Sequence, residues 1–272
     1  MAITTVDQLL DALGNSSQQL ITNRASISSQ IAGGFSSLWR SIGTPAQGAI
    51  PTTAAVLDNN TTGAFKFNNP SGGAKSYIGR MFKVCSVAGT DVQYHDRLSH
   101  MGGLSGTVTT AQTVNVDVSG SVTNINERRG AADYSDVQWW LEWYTATGVT
   151  AVTATVTYTN ATGTSGRTTT VSIPGSTGAS RMLPIIGNAG EYIQSIQLVQ
   201  LSATTGTAGN FGVTATKILT TISCGLANAG TVADWAYLGM PSVADSACIS
   251  MIVLAGSTTT GTVIGSAKLI QG

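Results

Sequence analysis

The stretch "VQWWLEWYTATGVTAVTATVTYTNATGTSGRTTTVSIP", residues 137–174, decides how the rest of the chain is read. It holds three Trp and two Tyr, then almost no large side chain apart from Tyr158. Val137, Trp139, Leu141 and Trp143 fall on one face of an alternating pattern, and Gln138, Trp140, Glu142 and Tyr144 on the other. The next run sets Val152, Ala154, Val156 and Tyr158 against Thr153, Thr155, Thr157 and Thr159. "NATGTSG" is a turn, after which Thr169, Val171 and Ile173 resume the alternation up to Pro174. A period of two over runs this short is the signature of half-buried strands. The face carrying Trp139 and Trp143 is expected in the core. Trp140 shares its face with polar neighbours and is expected, with Tyr144, as an exposed or interfacial aromatic. A subunit contact is the expected use, since Trp and Tyr are enriched there, and a sugar-stacking platform is the alternative.

The same period runs outward from this stretch. "YIGRMFKVCSV" from Tyr77 and "TVNVDVSGSV" from Thr113 alternate in the same way, and further strands are expected over residues 192–202, 211–223, 247–254 and 262–270. About nine short strands separated by Gly, Ser, Thr and Asn turns predict a mainly β chain, an antiparallel β-sandwich or jelly-roll-like domain over residues 77–272. Thr, at 39 residues, supplies the polar side: it is β-branched and fits a pleated surface.

Ahead of this domain the pattern differs. Thr5 with Gln8 three residues on makes a capping box. Val6, Leu10, Leu13, Leu20, Ile27, Ile31 and Leu38 recur at steps compatible with 3.5 residues, so residues 1–40 are expected as an N-terminal helical arm, whole or broken near Gly14. Residues 41–76 carry Pro45, Pro51 and Pro70 with many Gly and Asn, and are expected as an extended linker or arm. The candidate assembly contacts are Val6, Leu10, Leu13, Leu20, Ile27, Ile31, Trp39, Trp140 and Tyr144.

Charged residues are only 10% of the chain, against roughly 25% in an ordinary domain, and 13 bases balance 13 acids. Little like-charge repulsion then keeps copies apart, which suits a surface covered by neighbours. The opening "MAITTVDQLLDALG" lacks the basic and continuous apolar parts of a signal peptide, and no apolar run approaches a membrane span. Cys85, Cys224 and Cys248 are odd in number and far apart, so buried reduced thiols are expected, with synthesis and assembly in a reducing cytoplasm.

No motif for chemistry is complete. "DVQYHDRLSHMGG", residues 91–103, gathers His95, His100, Asp91, Asp96, Arg97 and Ser99, but Ser105 lacks the GxSxG spacing of a nucleophile elbow and the two histidines are five apart. "NPSGGAKS", residues 69–76, lacks the GxxxxGK[ST] order of a phosphate loop. Arg128 and Arg129 are flanked by acids and make no basic stripe, so no nucleic acid is expected. Three Glu and ten Asp offer no spaced pair for glycoside hydrolysis. No catalytic residue, cofactor or metal is expected, and the chain is read as no enzyme.

"HDRLSHMGGLSGTVTTAQTVNVD" (residues 95–117), "WLEWYTATGVTAVTATVTYTNATGTSGRTT" (residues 140–169) and "LSATTGTAGNFGVTATKIL" (residues 201–219) resemble virion structural proteins of tailed bacteriophages. The resemblance covers about half of the chain. It implies a particle component located in the virion: a head decoration or cement protein, with a tail or fibre component or a carbohydrate- or receptor-binding β module as the alternative. The partners it implies are further copies of the chain, with a trimer as the expected closed ring, and the major capsid protein or other virion proteins. Neither nucleic acid nor membrane is among them.

Overall fold

The structure is a computed structural model that describes residues 3–15, 17–25, 30–120, 122–206, 209–258 and 261–272. It opens with helix α1 (Val6–Asn15). Its strands, in chain order, are β1 (Ser17–Ala25), β2 (Phe35–Ser37), β3 (Gly43–Thr44), β4 (Ala55–Val56), β5 (Ser76–Cys85), β6 (Thr90–Ser105), β7 (Gln112–Asp117), β8 (Val137–Trp143) and β9 (Val152–Asn160). There follow β10 (Arg167–Ile173), β11 (Arg181–Ile185), β12 (Ile193–Leu201), β13 (Asn210–Cys224), β14 (Gly230–Asp234), β15 (Ser242–Val243), β16 (Ile249–Leu254) and β17 (Thr262–Gln271). One-turn helices α2 (Ile125–Arg128) and α3 (Trp235–Leu238) sit between strands. Every strand pairing among the described residues is antiparallel. The fold is mainly β and sandwich-like, with an N-terminal helix.

Among the described residues, three sheets build it. A Thr-rich sheet runs β10-β9-β12-β7, and an outer sheet runs β14-β5-β17-β1-β3 with β15 also on β5. Between them lies a central sheet, β13-β8-β11-β2-β16-β6-β4. A further pairing of β13 with β6 closes six of its strands into a ring, leaving β4 outside. Each flanking sheet shares a core with the central one. Trp139, Leu141 and Trp143 of β8 and Phe211 and Val213 of β13 pack on Ala154, Val156 and Tyr158 of β9, and Trp143 stacks on Phe211 at 4.5 Å between centroids. Tyr94 of β6 and Met251 and Val253 of β16 pack on Met81 of β5 and Leu20 of β1. Side chains of this size each contribute about 1.5–3 kcal/mol on full burial, so two cores of this extent hold the three layers as one body.

The capping box forms as its residues imply. The Gln8 N–H donates to Thr5 Oγ1 at 3.3 Å, and the Gln8 side-chain oxygen accepts from the Thr5 N–H at 3.2 Å. The helix ends at Asn15, however, and does not extend through residue 40. Residues 17–25 form β1, paired residue by residue with β17 from Ser17↔Ile270 to Ala25↔Thr262. The alternation in β1 was hidden because two of its three inward side chains, Thr22 and Arg24, are polar. Only Leu20 marks the inward face by hydrophobicity, which left a false helical stripe.

Residues 41–76 lie on their own chain. Leu57, Ala64, Phe65 and Phe67 are buried. Arg24 acts as the post to which this irregular segment is tied. Its guanidinium donates to the carbonyls of Leu38 (2.5 Å), Ser41 (3.0 Å), Ala46 (3.0 Å) and Gly63 (3.1 Å). Burial without a carboxylate partner lowers its pKa to about 10, and the carbonyls compensate by hydrogen bonding.

Candidate functional site

The closed ring has an interior, and that interior takes the face of β8 expected at the surface. Trp140 is 4% exposed. It packs with Met182 of β11, Ile252 of β16 and Phe35 of β2, and its indole N–H donates to Thr216 Oγ1 of β13 at 2.9 Å. His95 of β6 meets the same hydroxyl at 3.2 Å. All six ring strands thus contribute to one cluster. The expectation that Trp140 and Tyr144 stand exposed is corrected: both are buried, because the sheet curls round and covers its polar face with itself.

One buried ion pair follows from this closure, and a second lies against the opposite face of β6. Arg97 on β6 pairs with Glu142 on β8. Glu142 Oε2 also accepts from the hydroxyls of Thr214 (2.6 Å) and Tyr144 (3.4 Å). Arg97 Nε donates to His100 Nδ1 at 3.0 Å, and the guanidinium lies over the Trp39 ring at 4.6 Å. Its neighbour Asp96 turns the other way, accepting from Arg128 Nη2 (2.6 Å) and Nε (2.9 Å) and from the Cys248 N–H (2.8 Å). Adjacent residues on one strand point to opposite faces, and both faces of β6 are covered. Burial works against the charge on Arg97, yet the Glu142 carboxylate outweighs it and its pKa is raised. His95 is pushed down to about 3 by burial and then by the Arg97 charge, and the same two causes hold His100 well below its ordinary value. With both imidazoles neutral and the Asp96 and Glu142 carboxylates committed to guanidinium groups, residues 94–100 become interior structure. The residues themselves read as a polar loop: His95, Asp96, Arg97, Ser99 and His100 are broken only by Leu98, so no alternation marks a strand.

A second buried polar group lies between the outer and central sheets. Lys83 of β5 points inward, donating to Thr22 Oγ1 (2.5 Å) and Tyr94 Oη (2.8 Å). Burial lowers its pKa from 10.5 to about 7, opposed by the nearby Cys85 and Cys224. The unfolded chain takes up a proton on this lysine below about pH 10.5 while the folded chain resists until about pH 7. The burial cost is therefore full at neutral pH and vanishes above pH 10.5. Lys83→Met is expected to raise unfolding stability at pH 7 by roughly 1–3 kcal/mol, since Thr22 and Tyr94 still bond one another. Urea denaturation of both proteins at pH 7 and pH 10 checks this, with the gain shrinking at the higher pH.

The candidate assembly contacts divide by burial. Leu20, Trp39, Trp140 and Tyr144 are interior, and Leu13 packs beneath α1 against its own chain. Val6 and Leu10, one turn apart on α1, are 60% and 56% exposed, and Ile31 is also exposed. Ile27 lies outside the described residues. The outer sheet adds a surface that the sequence did not single out. Val232 of β14 pairs with Phe82 of β5, Phe82 with Ser266 of β17, and Ser266 with Ile21 of β1. The next row reads Gly230, Val84, Ile264 and Asn23. Ile21, Phe82, Val232 and Ile264 are all exposed, so four strands present one apolar face. The row on the other side, Asp234, Arg80, Lys268 and Gln19, carries both signs of charge.

Two cavities bear on other uses. One of about 140 Å³ is lined by Lys75, Arg128 and Lys217 together with Asp96, Glu127 and Asp245, cations and carboxylates in equal number. Another of about 360 Å³ is lined by Phe35, Trp139, Trp140, Pro184 and Tyr192, with Ser135, Gln138 and Glu191 as polar members. Among the described residues no group of three His, Cys, Asp or Glu is placed to hold a metal ion. None of their helices is long and apolar enough to cross a membrane.

No family model matches the chain, and no curated protein matches it. Among solved structures, it is similar to that of the infectious bursal disease virus VP2 subviral particle. The TM-score is 0.23 and the identity 11%, over 94% of this chain and 81% of that one. A structure of the infectious bursal disease virus Gt strain gives a TM-score of 0.20 and 10% identity, over the same 94% and 81%. Neither likeness bears on the fold or the function.

Proposed function

We propose that this chain is a virion structural protein of the tailed-bacteriophage kind, a capsid decoration or cement subunit. It acts by packing against further copies of itself and against shell proteins, without bond-making chemistry and without a cofactor. The observation that carries the reading is the apolar outer face of Ile21, Phe82, Val232 and Ile264, set in register across four strands on a chain of zero formal net charge. Contiguous exposed apolar surface of this kind marks an interaction site. The bordering row offers Asp234 beside Arg80 and Lys268, so a second copy meets both signs of charge. The resemblance of the strand sequences to phage virion proteins supports the particle as the setting, and a closed ring of copies, a trimer, satisfies such an interface without leaving free faces.

The test is sedimentation of the full-length chain. The wild type is expected to self-associate and to bind tailed-phage heads. Phe82→Glu combined with Ile264→Lys is expected to shift it to monomer and lower head binding at least tenfold, with β circular dichroism unchanged. A wild-type chain that stays monodisperse at high concentration and binds no phage shell overturns the reading. The cavity edged by Trp139, Trp140 and Tyr192 favours a second reading, a carbohydrate- or receptor-binding module of a tail or fibre component. Glycan binding lost on Tyr192→Ala in a folded protein would select it.

A further inference from the structure

We propose that copies of this chain join head to tail through the two edges of the outer sheet, with β14 of one copy added as a further strand to β1 of the next. This rests on the self-association proposed above and names the surfaces that carry it. Neither strand guards its edge: β1 and β14 hold no proline and no lysine. A main-chain edge left in this state is a template for another strand. β3 pairs with β1 only at Asn23 and Arg24. Towards the other end the Gln18 side chain brackets the Asn68 main chain, donating to its carbonyl at 3.0 Å and accepting from its N–H at 2.7 Å. Between these two points lie Gln19 and Ile21, which meet no strand on that side among the described residues.

The main-chain directions of the two edges match. Beside β3 the Ala25 N–H donates to the Ile42 carbonyl at 3.2 Å. Successive residues of a strand turn their N–H and C=O groups to opposite sides, so Ile21 and Gln19 turn theirs to the same open side as Ala25. On β5 the Ser86 N–H donates to the Thr262 carbonyl at 3.0 Å, on the β17 side. By the same alternation Lys83 and Met81 turn theirs to β14, where they pair with Thr231 and Ala233. Val232, between those two, turns its own N–H and C=O away from the sheet. Strand direction alternates along β14, β5, β17 and β1, so β14 of one copy meets β1 of the next antiparallel, like every other pair in the chain. Ile21 and Val232 then exchange both hydrogen bonds, with Gln19 opposite Asp234. Their side chains already share one row, Ile21, Ser266, Phe82 and Val232, so the apolar face continues across the joint.

A groove supplies the seat. It has a volume of about 410 Å³ and opens beside Gln19 and Ile21, with Pro45, Ala46, Ala64 and Phe65 along its walls. The wall beyond β1 is fixed, since the Phe65 N–H donates to the Ile249 carbonyl at 3.0 Å and the Gly63 carbonyl accepts from Arg24 at 3.1 Å. The turn over residues 225–229 leads into β14 and carries Leu226, which is 72% exposed. With Val232 set against Ile21, that turn arrives at the Asn23 end of β1, where Thr44 and Pro45 close the groove, and Leu226 fills it. Because Ile21 and Val232 stand in one row, the joint needs no shift along the strands. A head-to-tail joint of this kind closes into a ring, here the trimer, and does not climb as a filament.

Three full-length variants test this: Ile21→Cys, Val232→Cys and the two combined, each treated with a short bismaleimide and run on a denaturing gel. The native cysteines are buried and leave the new thiols as the reactive ones. The combined variant is expected to give dimer and trimer bands and nothing longer. Each single variant is expected to stay monomeric on the gel, because in a head-to-tail joint neither position meets itself. Gln19→Pro removes an edge N–H outside the apolar row and is expected to weaken self-association at least tenfold in sedimentation, with β circular dichroism unchanged. Cross-linking within either single variant, a ladder that runs past trimer, or a combined variant left unlinked while the wild type sediments as an oligomer overturns the edge joint and leaves the proposed function standing. A folded Gln19→Pro protein that associates as tightly as the wild type does the same. A wild type that never associates overturns both.

Discussion

Glu142→Leu is expected to cost about 3–5 kcal/mol of unfolding stability, because it strands the Arg97 charge inside the closed ring. A domain of ordinary stability holds only about 5–15 kcal/mol, so this one change brings the chain near the edge of unfolding. Arg97→Met is expected to be costly for the mirror reason, leaving a carboxylate with only the Thr214 and Tyr144 hydroxyls. The double substitution removes both charges together and is expected to recover most of the loss, since an apolar pair of similar volume is often as stable as a buried ion pair. Urea denaturation of the four proteins gives the coupling directly. Single losses below about 1 kcal/mol would mean that water reaches the pair and that the ring is not closed around it.

The second large effect is acid lability well above the range where carboxylates titrate. His95 and His100 are both neutral in the fold, and the unfolded chain takes up a proton on each below about its ordinary value of 6.5. The unfolded state then binds more protons than the folded state. Stability is fully present above pH 6.5 and falls as pH falls, continuing for His95 down to about pH 3. Each histidine contributes a slope of about 1.4 kcal/mol per pH unit in that window. Equilibrium unfolding at pH 7, 6, 5 and 4 is expected to show the decline. His95→Gln, which keeps a hydrogen-bonding group near Thr216, is expected to flatten it by about half. A stability that does not change between pH 7 and pH 5 would contradict the burial of both imidazoles.

Much of this molecule is legible in its residues, and the failures share one cause. From Tyr77 onward the period of two locates β5, β7 to β10, β12, β13, β16 and β17 but misses β6, β11, β14 and β15, and the Trp139, Leu141 and Trp143 face packs into the core as its hydrophobicity implies. The Thr5–Gln8 pair marks the start of α1 because a capping box is a local device, complete within four residues. β1 was not legible: its inward Thr22 and Arg24 are polar, and its partner β17 lies at the other end of the chain. The apolar outer face was not legible either. Ile21, Phe82, Val232 and Ile264 are single apolar residues on four separate strands, and only pairing brings them together.

The residues alone determined that the chain is built of antiparallel strands with a Thr-rich polar side, little charge and a capped N-terminal helix. Alternation and capping act over a few neighbouring positions and are written directly in their order. Tertiary structure decided which second faces meet water. The β13–β6 pairing turns an open sheet into a ring and moves Trp140, Glu142 and Tyr144 from an expected surface to the interior. A strand pattern shows that there are two faces, but what covers each depends on partners far along the chain, and no local spacing records them.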